Sequence, residues 1–450
     1  MWILLAMILI MPLEKNPRLQ LSGDITVIKV LGMIGLIWAL GLVVAGRAKL
    51  ELLDSTQTKV LVLYVGTMLF ASILSGVQPR PLTAEEQLLQ AAEARLGHGG
   101  AVADQWLPLK RFVHVLAFLP LTLVAVRRER DLLLALKTVV LTMMFLLPYG
   151  YRQMYKYGGR FGVGLYEPNY LGLVLVLLVP IAFVLAREAR VGWKRAMWYT
   201  AMVVMLLEIV MTASRGALVA IMAVLPLLAL RFMRRPVLVI GGAVAFVVLL
   251  ILSPTDLGKR LRVGWLEQRE GPEMTISGKE EVEVATGVQV SNETRISLLF
   301  AGIRMIASYP VSGVGLGQFK PSSVAYGANL PHIAHNTYLE LGAEAGLPAL
   351  GAFVWFFGAT FASLRRTSRL AEAAGRPDLA NLATAIRSGL TGYLVDALFL
   401  SAQYEKYLWL VIYLSVCLGR IVGRLPKRAD PPPEAAITRP QRQRFAWNAW

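Results

Sequence analysis

The sequence predicts an all-α polytopic membrane protein of about twelve transmembrane helices, with a long outer loop containing helices. Three observations predict it. Apolar residues make up 56% of the 450-residue chain and charged residues only 17%, with a mean hydropathy of +0.55, whereas soluble domains hold about 25% charged residues. The apolar residues fall into runs close to the roughly 20 that cross a hydrocarbon core. Basic residues gather in short clusters between those runs, a pattern of membrane orientation. The net charge of +17 is therefore read as orientation and contact with membrane lipid, and nucleic acid is excluded as a partner. Cys417 is the only cysteine, which excludes a disulfide scaffold.

In order, the expected spans lie near residues 2–12, 25–46, 59–77, 110–126, 131–149, 170–186, 196–213, 216–230, 236–253, 346–363, 383–402 and 407–423. The first is short, either a full span or an interfacial segment; it has no basic start and no small-residue cleavage site, so it does not read as a cleaved signal. Arg127, Arg128 and Arg130 follow the fourth span, and Arg187, Arg190, Lys194 and Arg195 the sixth. Arg231, Arg234 and Arg235 follow the eighth, Arg365, Arg366 and Arg369 the tenth, and Arg420, Arg424, Lys427 and Arg428 the twelfth. Short loops rich in Lys and Arg stay in the cytoplasm. Both termini are thus expected inside, and the loops after odd-numbered spans outside.

The expected organisation is nine spans over 1–253, an outer loop over 254–345, three spans over 346–423 and a basic cytoplasmic tail over 424–450. A second outer segment, 78–109, contains the amphipathic helical pattern TAEEQLLQAAEARLG. Loops as long as 254–345 are uncommon unless functional or disordered, which places any chemistry on the outer face.

The chain has four histidines, His98, His114, His332 and His335, two of them in PHIAHNTYLELGAEAGLPALG. Pro331 and Gly346-Leu347-Pro348 bound a short helix in this stretch, on which His335, Leu339, Gly342 and Gly346 are expected to share a face. An imidazole at the membrane boundary can accept a proton near neutral pH. His332 and His335 are three apart, but Glu340 and Glu344 complete no metal-ligand spacing, so no metal is expected. Arg215, in MTASRGALVAI, stands between two apolar runs, where a charge is costly and faces protein or a wet cavity. Arg160 lies in YKYGGRFGVGLYEPNY, and Arg295 and Arg304 in TRISLLFAGIRMIASYPVSGVGLGQF. The topology puts all these arginines and His335 on one side. Guanidinium groups bind phosphate through a two-pronged fork, so the set suits an anionic, phosphate-bearing lipid. The run GVGLG lacks the Lys-Ser/Thr of a phosphate loop and a βαβ setting; it is expected to be a flexible turn beside the site.

Four of these stretches, in this order around a long outer loop, resemble the O-antigen ligase and O-antigen polymerase family of bacterial membrane glycosyltransferases: GGRFGVGLYEPNYLGLVLVLLVP, TASRGALVA, TRISLLFAGIRMIASYPVSGVGLGQF and HNTYLELGAEAGLPALG. One position departs from the ligase pattern, Ala349 standing where a Gly, Thr or Tyr is common. The resemblance implies a glycan donor on undecaprenyl diphosphate at the periplasmic face of the inner membrane. It implies a GT-C-like helical fold and no metal, cofactor or nucleotide sugar. The acceptor is a lipid A–core sugar for a ligase or another lipid-linked glycan for a polymerase, and both stay open. Arg215 and Arg295 match the family's diphosphate-contacting arginines and His335 its essential histidine. Arg160, Arg304, His332, Asn336 and Tyr338 are expected to line the substrate site. A transporter for lipid-linked sugar is the remaining alternative, on the strength of the intramembrane charges Glu208 and Asp396.

Overall fold

In a computed structural model, the structure describes residues 1–14, 19–22, 25–47, 55–74, 106–157, 161–162, 167–252 and 279–426. The expected amphipathic helix within 78–109 and the basic tail beyond Pro426 fall almost wholly outside the described residues. Among the described residues the regular structure is helical apart from a two-stranded antiparallel ribbon, Gln20–Ser22 against Ile25–Thr26, which the sequence reading did not anticipate. The helices are α1 (Trp2–Ile10), α2 (Val27–Val44), α3 (Thr56–Leu74), α4 (Trp106–Ala125), α5 (Glu129–Met144), α6 (Leu147–Tyr157), α7 (Pro168–Glu188) and α8 (Gly192–Met211). They continue with α9 (Arg215–Phe232), α10 (Pro236–Leu252), α11 (Lys279–Ser308), α12 (Phe319–Ser322), α13 (Thr337–Ala373), α14 (Pro377–Asp396) and α15 (Lys406–Gly423).

A helix lies at each of the twelve expected places. Among the described residues, seven stretches are long and apolar enough to cross a membrane: Val27–Val44, Thr56–Leu74, Glu129–Arg152, Pro168–Glu188, Arg215–Phe232, Thr337–Ala373 and Lys406–Gly423. The chain is a polytopic helical membrane protein. Trp2–Leu13, Phe112–Ala125 and Pro236–Leu249 are apolar but shorter, and α8 and α14 carry more charge, with Glu208 and Asp396 inside them.

The core follows from two helices that are apolar all round. Residues Leu171–Ala186 of α7 are all buried, which is how a helix without a polar face must sit. It packs against α8 and α14, and α14 in turn against α9 and α13. Residues Tyr407–Leu418 of α15 are likewise buried. Trp409 stacks on Phe356 at 5.6 Å between ring centroids and meets Phe112 edge-on at 5.7 Å. Its indole N–H donates to the Gln403 carbonyl at 2.9 Å, which ties α15 to the loop before it. Aromatic pairs in such edge-on and offset arrangements add about 0.5–1.5 kcal/mol each beyond area burial. A second, smaller core joins Leu298, Ala301 and Met305 of α11 to Val314, Phe319, Leu339 and Ala343. That core holds the described part of the expected outer loop down on the start of α13.

The bipartite α13 is the feature that positions the site. Its first segment, Thr337–Ala345, ends at Gly346, whose φ of 78° and ψ of 173° interrupt the helix before the membrane-length segment. A side chain there would meet the Val311 carbonyl oxygen at 2.3 Å, and one at Gly313 (φ 64°) would meet the Glu344 carbonyl carbon at the same distance. Both conformation and space therefore require glycine at these two positions. The expected short bounded helix is present.

Candidate active site

His335 sits just before that short helix, not on it. The Asn336 side chain is the cap: its Oδ1 accepts the backbone N–H of Tyr338 at 2.9 Å and of Leu339 at 3.0 Å. An Asn cap satisfies N–H groups with no helical partner, and it starts the helix one residue after His335. The expected shared face of His335, Leu339, Gly342 and Gly346 is corrected accordingly. His335 itself has φ 51°, a left-handed conformation that is uncommon for any residue but glycine and persists where surroundings impose it.

The imposing contacts come from Glu340. This buried carboxylate accepts the backbone N–H of Ala334 at 3.2 Å and the Gln403 side-chain amide at 2.8 Å, and it also binds the Ser401 hydroxyl. It thus fastens the residue before His335 to the α14–α15 loop. Thr337 adds to the clamp. Its N–H donates to the Ala397 carbonyl at 2.9 Å, and its hydroxyl donates to Leu400 and accepts from Ala402. The sequence reading considered Glu340 and Glu344 only as metal ligands. The available signal was a buried-length apolar helix carrying two acids one turn apart, which demands partners for both. Glu344 finds its partner in the Phe319 N–H at 3.1 Å.

The GVGLG run is ordered, contrary to the expected flexible turn. Val314 N–H donates to the Ala343 carbonyl at 2.8 Å and Gly315 N–H to Glu344 at 3.0 Å, while Leu347 N–H donates to Pro310 at 2.8 Å. It satisfies the carbonyls left open at the end of the short helix.

Arg215 occupies the first position of α9. Ser214 caps that helix, its hydroxyl accepting the Ala217 N–H at 3.4 Å, and Ala213 before it has φ 49°. Arg295 stands on α11. The Arg295 guanidinium acts electrostatically on both Arg215 and His335, and Glu167, the N-cap position of α7, acts on Arg295. The His332 and His335 rings stack 4.7 Å apart at 22°. The structure thus gathers Arg215, Arg295, His332 and His335, with Glu167 as an acidic neighbour that sequence reasoning missed although its segment, YEPNY, was singled out. Burial first, then the Arg295 cation and His332, push the His335 imidazole down from 6.5 to about 3. Burial also lowers Arg295, opposed by Glu167. The Nε of Arg295 is buried with no hydrogen-bond partner among the described residues, and an unmet buried donor costs roughly 1–3 kcal/mol.

The other expected residues are placed as follows. Tyr338 donates its hydroxyl to the Leu394 carbonyl at 2.8 Å. Arg304 is exposed and donates to the Tyr326 carbonyl at 2.8 Å, bracing the outer segment. Arg160 lies outside the described residues; its neighbour Phe161 is fully buried, its N–H donating to Met211 at the end of α8 at 3.2 Å. Among the described residues, no three His, Cys, Asp or Glu side chains are grouped so as to hold a metal ion.

The fold and the site define a class, a polytopic helical membrane protein with arginines and histidines gathered beside two capped helix starts. The O-antigen ligase family model matches residues 200–354, the stretch that holds Arg215, Arg295, His332 and His335. Over those residues the chain is similar to the O-antigen ligases. No curated protein matches the chain.

Proposed function

We propose that the protein is a metal-independent inverting glycosyltransferase that moves a glycan from undecaprenyl diphosphate to an acceptor hydroxyl on a lipid A–core sugar. It works at the periplasmic face of the bacterial inner membrane, with twelve spans and both termini cytoplasmic. The observation that carries this reading is the cluster of Arg215, Arg295 and His335 with the orphaned Arg295 Nε. A diphosphate oxygen is the acceptor such a donor lacks, and helix starts favour anions.

In the proposed reaction, Arg215 and Arg295 hold the diphosphate and stabilise the charge that grows on it as the sugar–phosphate bond breaks. His335 takes the proton of the acceptor hydroxyl. That oxygen bonds to the anomeric carbon from the opposite face, and undecaprenyl diphosphate departs. The imidazole is neutral in the donor-free protein, so it can accept a proton. Anionic donor against Arg295 offsets the cation that depresses it, and so strengthens the base when substrate is bound. The packed outer segment excludes water that would otherwise hydrolyse the donor. Joining of lipid-linked repeats by a polymerase uses the same donor chemistry and differs only in acceptor.

The test is the purified protein with a defined lipid-linked repeat and two acceptors, lipid A–core and a second lipid-linked repeat. A single capped lipid A product is expected; a ladder of repeats would reassign the protein as a polymerase. Donor consumed in detergent with neither product, or donor unchanged, would return the reading to hydrolysis or transport. His335→Ala is expected to lose about 10²–10⁴-fold of the transfer rate, the usual range for a general base; an undiminished rate would end that assignment.

A further inference from the structure

A second cationic site lies at the opposite end of the bundle. Helix α9 carries Arg215 in its first turn and Arg231 in its last. Its 18 residues rise about 27 Å at roughly 1.5 Å per residue, close to the thickness of a hydrocarbon core. Helix α13 likewise runs from the His335 loop to Arg365, Arg369 and Glu372. At this far end Arg231, Arg365, Arg369 and Arg387, from three helices, line a cleft of about 320 Å³ together with Glu372. Pockets for small ligands begin at about 300 Å³.

Four guanidiniums thus face one carboxylate. Arg231 pairs with Glu372 at 2.5 Å. Arg365, Arg369 and Arg387 have no acidic or hydrogen-bond partner among the described residues. Half-buried Arg387 instead feels the like charges of Arg365 and Arg231. Snorkelling arginines diverge into water; here they converge from α9, α13 and α14 on one space. A second cleft of about 450 Å³ shares Arg365 and Arg369 and is lined besides by Arg366, Ala362 and Leu370 of α13. Two clefts that share Arg365 and Arg369, one of them flanked by Ala362 and Leu370, suit a charged headgroup with the start of its chain.

We propose that these joined clefts bind an anionic phospholipid, its phosphodiester held by Arg365, Arg369 and Arg387 and one acyl chain lying along Ala362 and Leu370. Basic pockets between transmembrane helices suit such headgroups. The Arg231–Glu372 pair sets one wall and competes for the same charge, so the acid tunes affinity downward. The site is distinct from the glycan-transfer site and stands whether or not that reading holds.

The test is native mass spectrometry of the detergent-purified full chain titrated with phosphatidylglycerol, phosphatidylcholine or inorganic phosphate. Phosphatidylglycerol is expected to be retained at low stoichiometry, and phosphatidylcholine not. The double variant Arg365→Gln/Arg369→Gln is expected to weaken phosphatidylglycerol binding at least tenfold. Glu372→Gln is expected to tighten it several-fold, a gain that a misfolded protein cannot mimic. Equal retention of both lipids, unchanged binding in the double variant, or no gain with Glu372→Gln would overturn the proposal. So would displacement of the lipid by millimolar inorganic phosphate, which would mark the cleft as a site for soluble phosphate.

Discussion

Removing the Glu340 carboxylate is the sharpest probe of how the site is held. Three donors converge on it: the Ala334 N–H, the Gln403 amide and the Ser401 hydroxyl. Hydrogen bonds to a charged group contribute roughly 1.5–3 kcal/mol each, and a buried donor left alone costs a similar amount. The Ser401 hydroxyl can rotate to another acceptor, and the Gln403 amide can partly reorient. The Ala334 N–H cannot, since the backbone fixes it. Glu340→Ala is therefore expected to destabilise the protein by about 3–5 kcal/mol, the range seen when one partner leaves a buried charged network.

The loss falls on the peptide preceding His335, whose left-handed φ has to be imposed by its surroundings. Transfer is accordingly expected to fall further than stability predicts, at temperatures where the variant is still folded. Glu340→Gln separates the two effects. It keeps one oxygen for Ala334 and Ser401 and sets an amide against Gln403, whose own Oε1 is buried without a partner and can turn to accept it. The Gln variant is expected to recover most of the lost stability and much of the rate. Thermal melting in detergent and transfer to a defined acceptor, measured on all three proteins, check this. If Glu340→Ala melts and transfers like the parent, the clamp argument fails; if Gln rescues neither quantity, the charge rather than the geometry is what matters.

Other expectations concern the remaining parts of the site. Gly346→Ala places a side chain 2.3 Å from the Val311 carbonyl oxygen at a positive φ; it should lower the melting temperature markedly, and a melt within a degree of the parent would remove the need for the helix break. Arg215→Lys should cost about 10²-fold or more in kcat, the usual loss on removing a preorganised donor, because a point charge cannot span two phosphate oxygens. The pH profile follows from the His335 shift. With the free protein's imidazole near 3, it stays neutral above that value. The acid limb of kcat/KM should therefore lie well below pH 6.5, and that of kcat higher, once bound donor offsets Arg295. A kcat/KM limb at or above 6.5 would contradict the burial and charge that depress this group. The same shift makes folding bind fewer protons between about 3 and 6.5, so the His335 contribution to stability falls as pH drops through that window.

The long apolar helices were legible because a membrane imposes a length and a polarity on a crossing segment, and α2, α7 and α15 advertise both. The residues now found around Arg295 were also named in the sequence, since Arg215 and His335 stand at the edges of apolar runs. Three features were not. The one-residue displacement of His335 from its helix depends on which side chain wins the cap, and Asn336 wins only because its oxygen reaches two N–H groups. The ordered GVGLG run depends on the distant carbonyls of Ala343 and Glu344, which periodicity does not report. Glu340 looked like an unmatched acid because its partners Ser401 and Gln403 lie beyond an intervening helix pair. Long-range pairing of polar groups leaves no local signature.

The two helix starts at the site solve one geometric problem in the same way. In each, a residue other than glycine takes a left-handed φ, Ala213 at 49° and His335 at 51°. A capping side chain follows it, Ser214 or Asn336, and the helix then runs from the site toward the far side of the bundle. The turn reverses the chain within one residue, which brings a functional group to the mouth of a helix whose first N–H groups carry partial positive charge. In α9 that group is the first helical residue, Arg215; in α13 it precedes the cap, as His335. The difference suits the chemistry proposed. A guanidinium can add its charge to the helix start, both favouring an anion. An imidazole that must accept a proton is better placed before the cap and kept neutral by burial, where it meets the acceptor hydroxyl rather than the leaving phosphate. Exchanging the two residues would leave the net charge of the site unaltered, yet it would set the base against the diphosphate and the fork against the sugar.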